Sequence, residues 1–498
     1  MALLNHIDEN RLPTGLTVDA HFNVQARLSG QSEEIEWSSI TAVSTIAACA
    51  NITRNEFDTH PIAVASLSLP PSGSLEFRIR YSHTEVKAAA IRPASLGIHT
   101  KIGAGCVYFT LDRAIDVMLE VNDDKWQALH LLVNEVESEE PTGDGEGLWY
   151  FGGGVNNGRA YERVHDGQLV VPSNTTVYLA KGAWLTAQVV FTNVESSSIQ
   201  GPGYIFRPGD AYVASASRRP RELDGGAILI ERSKNILVQG VTSLRSFGFS
   251  LPVVEGQNVR ISRFRSFSGY GNGDGIDLFC CRDVLIENCF LRNSDDTIAI
   301  YGHRWDYYGD TLNIQVRNCT LLPDIAHPIQ IGTHGNPRNP ETFSNIHISG
   351  IDILDHCEHQ MWYQGCISIN AADENLIQDV LVEDIRVEKI TKGQLFNIRV
   401  MKNAMWTTAP GRGVKDVILR NIELDTGRSE VVNPSQIAGY DRSRKVANIT
   451  IENLRIGGKY VHEKMDKPRW YMVSDFVPLF ANEHVENLVF KLTDADAQ

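Results

Sequence analysis

Two carboxylates stand side by side in this chain, Asp295 and Asp296, within Asn293-Ser-Asp-Asp-Thr-Ile-Ala-Ile300. A third, Asp274, lies 21 residues before Asp295 in Asn272-Gly-Asp-Gly-Ile-Asp277. Three carboxylates facing one groove can hydrolyse a glycosidic bond: one stays protonated and assists the leaving oxygen, while ionised partners activate water. Like charges this close raise each other's pKa and cost stability unless they are used or compensated. Taken singly, each Asp is also an ordinary turn residue, since Asn, Asp and Gly dominate tight turns.

For carboxylates 21 residues apart to meet, the chain must return to the same place once per repeat, and a repeat is present. Short β-branched strands open on an Asn or Asp at Asn235, Asn258, Asp283, Asn313, Asn345, Asp379, Asp416 and Asn448, spaced by 23, 25, 30, 32, 34, 37 and 32 residues. Six residues after each anchor stands an apolar residue: Val241, Phe264, Cys289, Cys319, Ile351, Ile385, Ile422 and Leu454. Such a column stacks inside a coil. With period-2 strands and no convincing amphipathic helices between them, the pattern predicts a parallel β-helix in which residues one coil apart become neighbours. Strand alternation sends Asp295 and Asp296 to opposite faces, so their joint use requires a bend where the strand begins.

The earlier part of the chain has a different rhythm. Leu75-Glu-Phe-Arg-Ile-Arg-Tyr81 and Val117-Met-Leu-Glu-Val121 alternate as half-buried strands of antiparallel type. The acidic, Gly-rich run from Glu137 to Gly147 interrupts them. The predicted organisation is all-β: an N-terminal β-sandwich over residues 1–146 and a parallel β-helix over 147–498.

The 498 residues, 42% hydrophobic and 21% charged, suit an ordered globular protein, and no stretch is apolar enough to span a membrane. A net charge of -15 without a basic cluster argues against a nucleic-acid partner. The start, Met1 to Asn10, lacks a basic and then apolar leader, so a cytoplasmic location is expected. Eight scattered cysteines form no disulfide framework, and no His/Cys spacing marks a metal site. Neither cofactor nor metal is expected; the expected partner is a carbohydrate substrate.

Directly after the paired carboxylates, Tyr301-Gly-His-Arg-Trp-Asp-Tyr-Tyr-Gly-Asp310 packs four aromatics into ten residues. It reads as a wall for sugar rings, with His303, Arg304 and Trp305 as contacts. His334, in Gly332-Thr-His-Gly335, is a further candidate for sugar hydroxyls.

Asn272-Gly-Asp274, Asp295-Asp296 and His327-Pro-Ile-Gln-Ile-Gly332 together resemble the motif series of glycoside hydrolase family 28, the polygalacturonases. There an Asn-Thr-Asp, an Asp-Asp, a Gly-His-Gly and an Arg-Ile-Lys follow in this order on a right-handed parallel β-helix. The layout is also similar to the dextranase and isopullulanase group of family 49, which sets a β-sandwich before such a helix. The resemblance implies Asp295 as general acid, Asp274 and Asp296 as the pair that holds and deprotonates water, and inversion, with carboxyl separations of roughly 6.5–9.5 Å. It further implies Asn272, His327 and Arg399 as substrate contacts. In the fourth motif, Asn397-Ile-Arg-Val-Met401, a methionine stands where the family has its lysine, and Lys402 points elsewhere if the strand alternates. A neutral glycoside is therefore the expected substrate. A galacturonan hydrolase, a polysaccharide lyase or sugar-rearranging transferase, and a non-catalytic carbohydrate-binding β-helix are the alternatives.

Overall fold

The computed structural model describes residues 4–30, 37–71, 73–136, 139–208, 219–427 and 432–493. Leu75–Tyr81 alternates between buried positions and partly buried or exposed ones as its sequence predicts. It runs down the middle of a sheet that, among the described residues, has five strands, between Phe22–Leu28 and Cys106–Leu111. A second sheet is built on the hairpin of Ala42–Asn51 and Glu56–Leu69. The two close on a core that includes Phe77, Val107, Leu119 and Leu131.

Two features depart from the expected half-buried, antiparallel pattern. Asp124–Glu135 runs parallel to Glu56–Leu69. Val117–Val121 is buried at every position, because Val117, Leu119 and Val121 face the sandwich core while Met118 packs outward against the second half of the chain. The sheet is thus covered on both faces. Of the acidic run, residues 137 and 138 lie outside the described residues; Leu148–Phe151 is the first strand of the coil that follows.

That coil is a right-handed parallel β-helix, the hand expected of consecutive parallel strands. The predicted inward column, Val241 to Leu454, is buried throughout. All eight anchors adopt left-handed backbone, with φ between 51° and 58°. Asn and Asp tolerate that conformation better than other side-chain-bearing residues. Their side chains also stack from coil to coil: Asn258 Nδ2 donates to Asn235 Oδ1 at 2.6 Å, and Asn345 Nδ2 to Asn313 Oδ1 at 2.9 Å. The anchors therefore turn the chain and also link its coils.

The sandwich lies along one flank of the helix. Val43, Val64 and Leu132 pack against Phe267, Phe290 and Leu322, and the same seam buries charge. Arg265 clasps Asp116 at 2.7 and 3.0 Å, Arg292 pairs with Asp324, and Lys125 reaches Asp355 at 3.0 Å. Bidentate pairing of this kind makes buried charge tolerable. Among the described residues, no helix is long and apolar enough to cross a membrane.

Candidate active site

Ile276, Ile298 and Ile329 are in register on three successive coils. Asp274, Asp296 and His327 each precede one of them by two residues, so they stack at a single corner of the helix. Gly275 N donates to Asp296 O at 2.8 Å and Thr297 N to His327 O at 2.9 Å, extending the parallel ladder through that corner. Asp295 and Asp296 fall in the bent segment between Phe290–Asn293 and Ile298–Tyr301. The bend brings both neighbouring carboxylates to one cleft of about 370 Å³, which Asp274 also lines. One oxygen from each of the three carboxylates lies within 4.8 Å of the other two.

The stack divides the charge unevenly. His327 donates its backbone N–H and Nδ1–H to Asp296 Oδ1 at 2.9 and 2.7 Å, and the Tyr301 hydroxyl donates to Asp296 Oδ2 at 2.8 Å. Burial alone would raise Asp296, but the His327 charge and these hydrogen bonds overcome it and hold the carboxyl below its usual range. His327 is pushed up to about 9, since its attraction to Asp296 outweighs the opposing effect of burial. Asp295 goes the other way: burial first, then the charges of Asp296 and Glu358, raise it to about 8. Asp274 is raised well above the usual range by burial and by Asp277, Asp295 and Asp296, with Arg304 opposing. The cleft thus holds Asp296 as the ionised member, whereas Asp274 and Asp296 were expected to be ionised together. Among the described residues, Asp274, Asp295 and Asp296 also form a grouping that could hold a metal ion, although both Asp296 oxygens are already engaged.

Of the other predicted contacts, Asn272, Arg304, His327 and His334 line the cleft, whereas His303, Trp305 and Arg399 do not. His303 donates its Nδ1–H to the Tyr307 carbonyl at 2.7 Å and stacks on Tyr308. Trp305 packs against Phe279, with the Arg304 guanidinium over its ring at 4.3 Å. The insertion therefore buries most of its own aromatics and offers the cleft only Tyr301 and Arg304. Arg399 is turned onto Asn397 Oδ1 at 2.7 Å, the Trp362 carbonyl and Met401 Sδ at 3.3 Å. Met401 is buried against Tyr363 and Ala372, and Lys402 is exposed.

Several lining residues escaped the sequence reading. Glu358, His359, Gln360 and Tyr363 come from the next coil, and Ala50, Ile52 and Phe57 come from the sandwich. Asp277 is fully buried on Ile276–Phe279, and neither carboxylate oxygen has a hydrogen-bond partner among the described residues. Burial and the Asp296 charge push it well above the usual range. A polar residue inside the otherwise apolar Ile-Asp-Leu-Phe run was its signal in the sequence.

A stacked carboxylate corner on a parallel β-helix defines a class of carbohydrate-active protein. Residues 165–468 match glycosyl hydrolases family 28, which is more than half of the chain, and the chain belongs to that family. It is 29% identical over 182 residues to a probable polygalacturonase of Arabidopsis thaliana and 26% identical over 200 residues to a polygalacturonase of Chamaecyparis obtusa. These stretches cover 36% and 38% of this chain, and each spans 36%, about a third, of the relative's own length. In fold, the chain is similar to Dex49A from Penicillium minioluteum, with a TM-score of 0.66 at 13% identity, covering 97% of this chain and 96% of that one. The shared fold therefore takes in the sandwich as well as the helix.

Proposed function

We propose that the protein is an inverting glycoside hydrolase in which Asp295 is the general acid and Asp296 the general base. The observation that carries this is the split in ionisation between adjacent carboxyls: Asp295 is raised to about 8, while Asp296 is held low by His327. Near neutrality Asp295 is thus a proton donor directly beside an acceptor, Asp296. Asp295 gives its proton to the glycosidic oxygen as the C–O bond breaks; water bonds to the anomeric carbon and loses a proton to Asp296. Once Asp295 has become an anion, its charge raises the proton affinity of Asp296 at the moment the base is needed.

The spacing supports a position for that water. Two oxygens up to 4.8 Å apart can both hydrogen-bond one water at about 2.8 Å. Water held by Asp296 and Asp274 therefore lies inside the cluster, not across a wider gap. Asp274 Oδ1 has no protein partner among the described residues and supplies the second contact.

For the substrate, a neutral glycan is the reading supported by the lining. Among the described lining residues Arg304 is the sole lysine or arginine, and its charge opposes the rise of Asp274 and Asp277. Met401 occupies the family's lysine position, and Arg399 is already bonded to protein atoms. A charge-assisted contact to a uronate, worth on the order of 1.5–3 kcal/mol, is thereby lost. A second reading, galacturonan hydrolysis, is favoured by the polygalacturonases among the relatives. Initial rates on neutral and galacturonan oligosaccharides of equal length decide between them. Faster cleavage of the neutral series is expected, and clear preference for galacturonan overturns the neutral assignment.

A further inference from the structure

The β-sandwich reaches into the cleft. Its hairpin turns over Ile52-Thr-Arg-Asn55, with Asn55 in left-handed backbone at φ 55°. The turn is fastened by Asn51 Nδ2 to Asp58 Oδ2 at 2.8 Å, by Arg54 N to Asn51 Oδ1 at 3.1 Å, and by an Arg54–Asp58 ion pair. The hairpin presses on the loop that carries Asp274. A Cβ on Gly269 would come within 2.6 Å of Ile46 Cγ1, and one on Gly271 within 3.1 Å of the Phe57 ring. At Gly269 a Cβ would force a shift of Ile46, and at Gly271 the Phe57 ring would have to give slightly, so the hairpin lies close against the segment leading to Asn272 and Asp274.

Held in this way, Phe57 and Ile52 still leave 54% and 64% of their surface exposed while lining the same cleft as the three carboxylates. Trp406, 43% exposed, lines that cleft from a later coil. Large apolar side chains left open beside reacting groups mark a binding surface. An aromatic face opposite apolar carbon suits the C–H face of a sugar ring. The hairpin brings no unpaired cation, since the Arg54 charge is taken up by Asp58 and Glu56.

We infer that the hairpin of the sandwich is a substrate-contacting wall of the active site, with Phe57 stacking on a neutral sugar ring next to the scissile bond and Ile52 extending the contact. This rests on the hydrolase reading above, and it makes the sandwich a determinant of specificity as well as a scaffold.

The test compares wild type with Phe57→Ala, Phe57→Tyr and Ile52→Ala by kcat and KM on short and long neutral oligosaccharides and on oligogalacturonides. Phe57→Ala is expected to raise KM by roughly 3- to 10-fold with kcat within about twofold. Phe57→Tyr should restore the wild-type value, and Ile52→Ala should raise KM less. Unchanged KM in both alanine variants overturns the inference. So does a fall in kcat at constant KM, which would mean that Phe57 only props the Asp274 loop. Asp295→Asn, run in parallel, separates the two claims: wild-type turnover there sinks the acid assignment, while the KM ratio between Phe57→Ala and wild type still reports on the wall.

Discussion

His327 donates twice to one oxygen of Asp296, from its backbone N–H at 2.9 Å and from its ring Nδ1–H at 2.7 Å, while its Nε2 faces the Tyr363 carbonyl. A carboxylate and a carbonyl can only accept, so both ring nitrogens carry protons and the ring is an imidazolium. This pairing keeps one of two adjacent carboxyls ionised and leaves the other to take up a proton.

The rate should therefore be bounded on both sides in pH. Asp295 must be protonated, so kcat/KM falls as pH rises through about 8. Asp296 must be ionised, so the acid limb lies at low pH, where its depressed pKa is crossed. His327→Gln removes the cation and should shift that acid limb upward. A pH–rate profile of the two proteins checks this; an acid limb that does not move would show that His327 does not hold Asp296.

Single displacement inverts the anomeric centre. Proton NMR of the first minutes of reaction should show product of inverted configuration. Retention would instead make Asp274 or Asp296 a nucleophile, and the 4.8 Å bound on the carboxylate cluster makes this test informative.

The seam between sandwich and helix depends on Lys125, which reaches Asp355 at 3.0 Å and Asp324 at 3.6 Å in a site closed to solvent. Lys125→Met should leave buried carboxylate charge uncompensated and destabilise the protein by on the order of 3 kcal/mol. Denaturant unfolding measures it. A change below about 0.5 kcal/mol would place Lys125 with ordinary surface residues.

Met401→Lys restores the family's lysine but buries a second cation beside Arg399, whose guanidinium already lies 3.3 Å from Met401 Sδ. Lower stability, again by about 3 kcal/mol, is expected without gain of galacturonan cleavage. A stable variant that cleaves galacturonan faster than wild type would contradict the neutral-substrate reading.

Much of the fold was legible because each coil repeats one requirement. The Asn and Asp anchors and the apolar residue six positions later recur since every coil needs a left-handed corner and an inward side chain. The carboxylate corner was legible for the same reason: Asp274 and Asp296 occupy equivalent places on neighbouring coils. Less legible was anything set by how coils and sandwich meet. Val117–Val121 is buried on both faces only because the helix covers its back. Trp305 and His303 turn onto their own loop, and Phe57 enters the cleft from more than 200 residues away in sequence. Local pattern carries no trace of those contacts.

Asp295→Asn tests the central claim most directly, because it removes the proposed proton donor with almost no change in volume. Initial rates of reducing-end release are measured for wild type and variant on the best substrate, with folding checked by circular dichroism. A loss of at least about 10²–10⁴-fold in a folded protein is predicted; a folded Asp295→Asn protein that turns over at close to the wild-type rate would contradict the account.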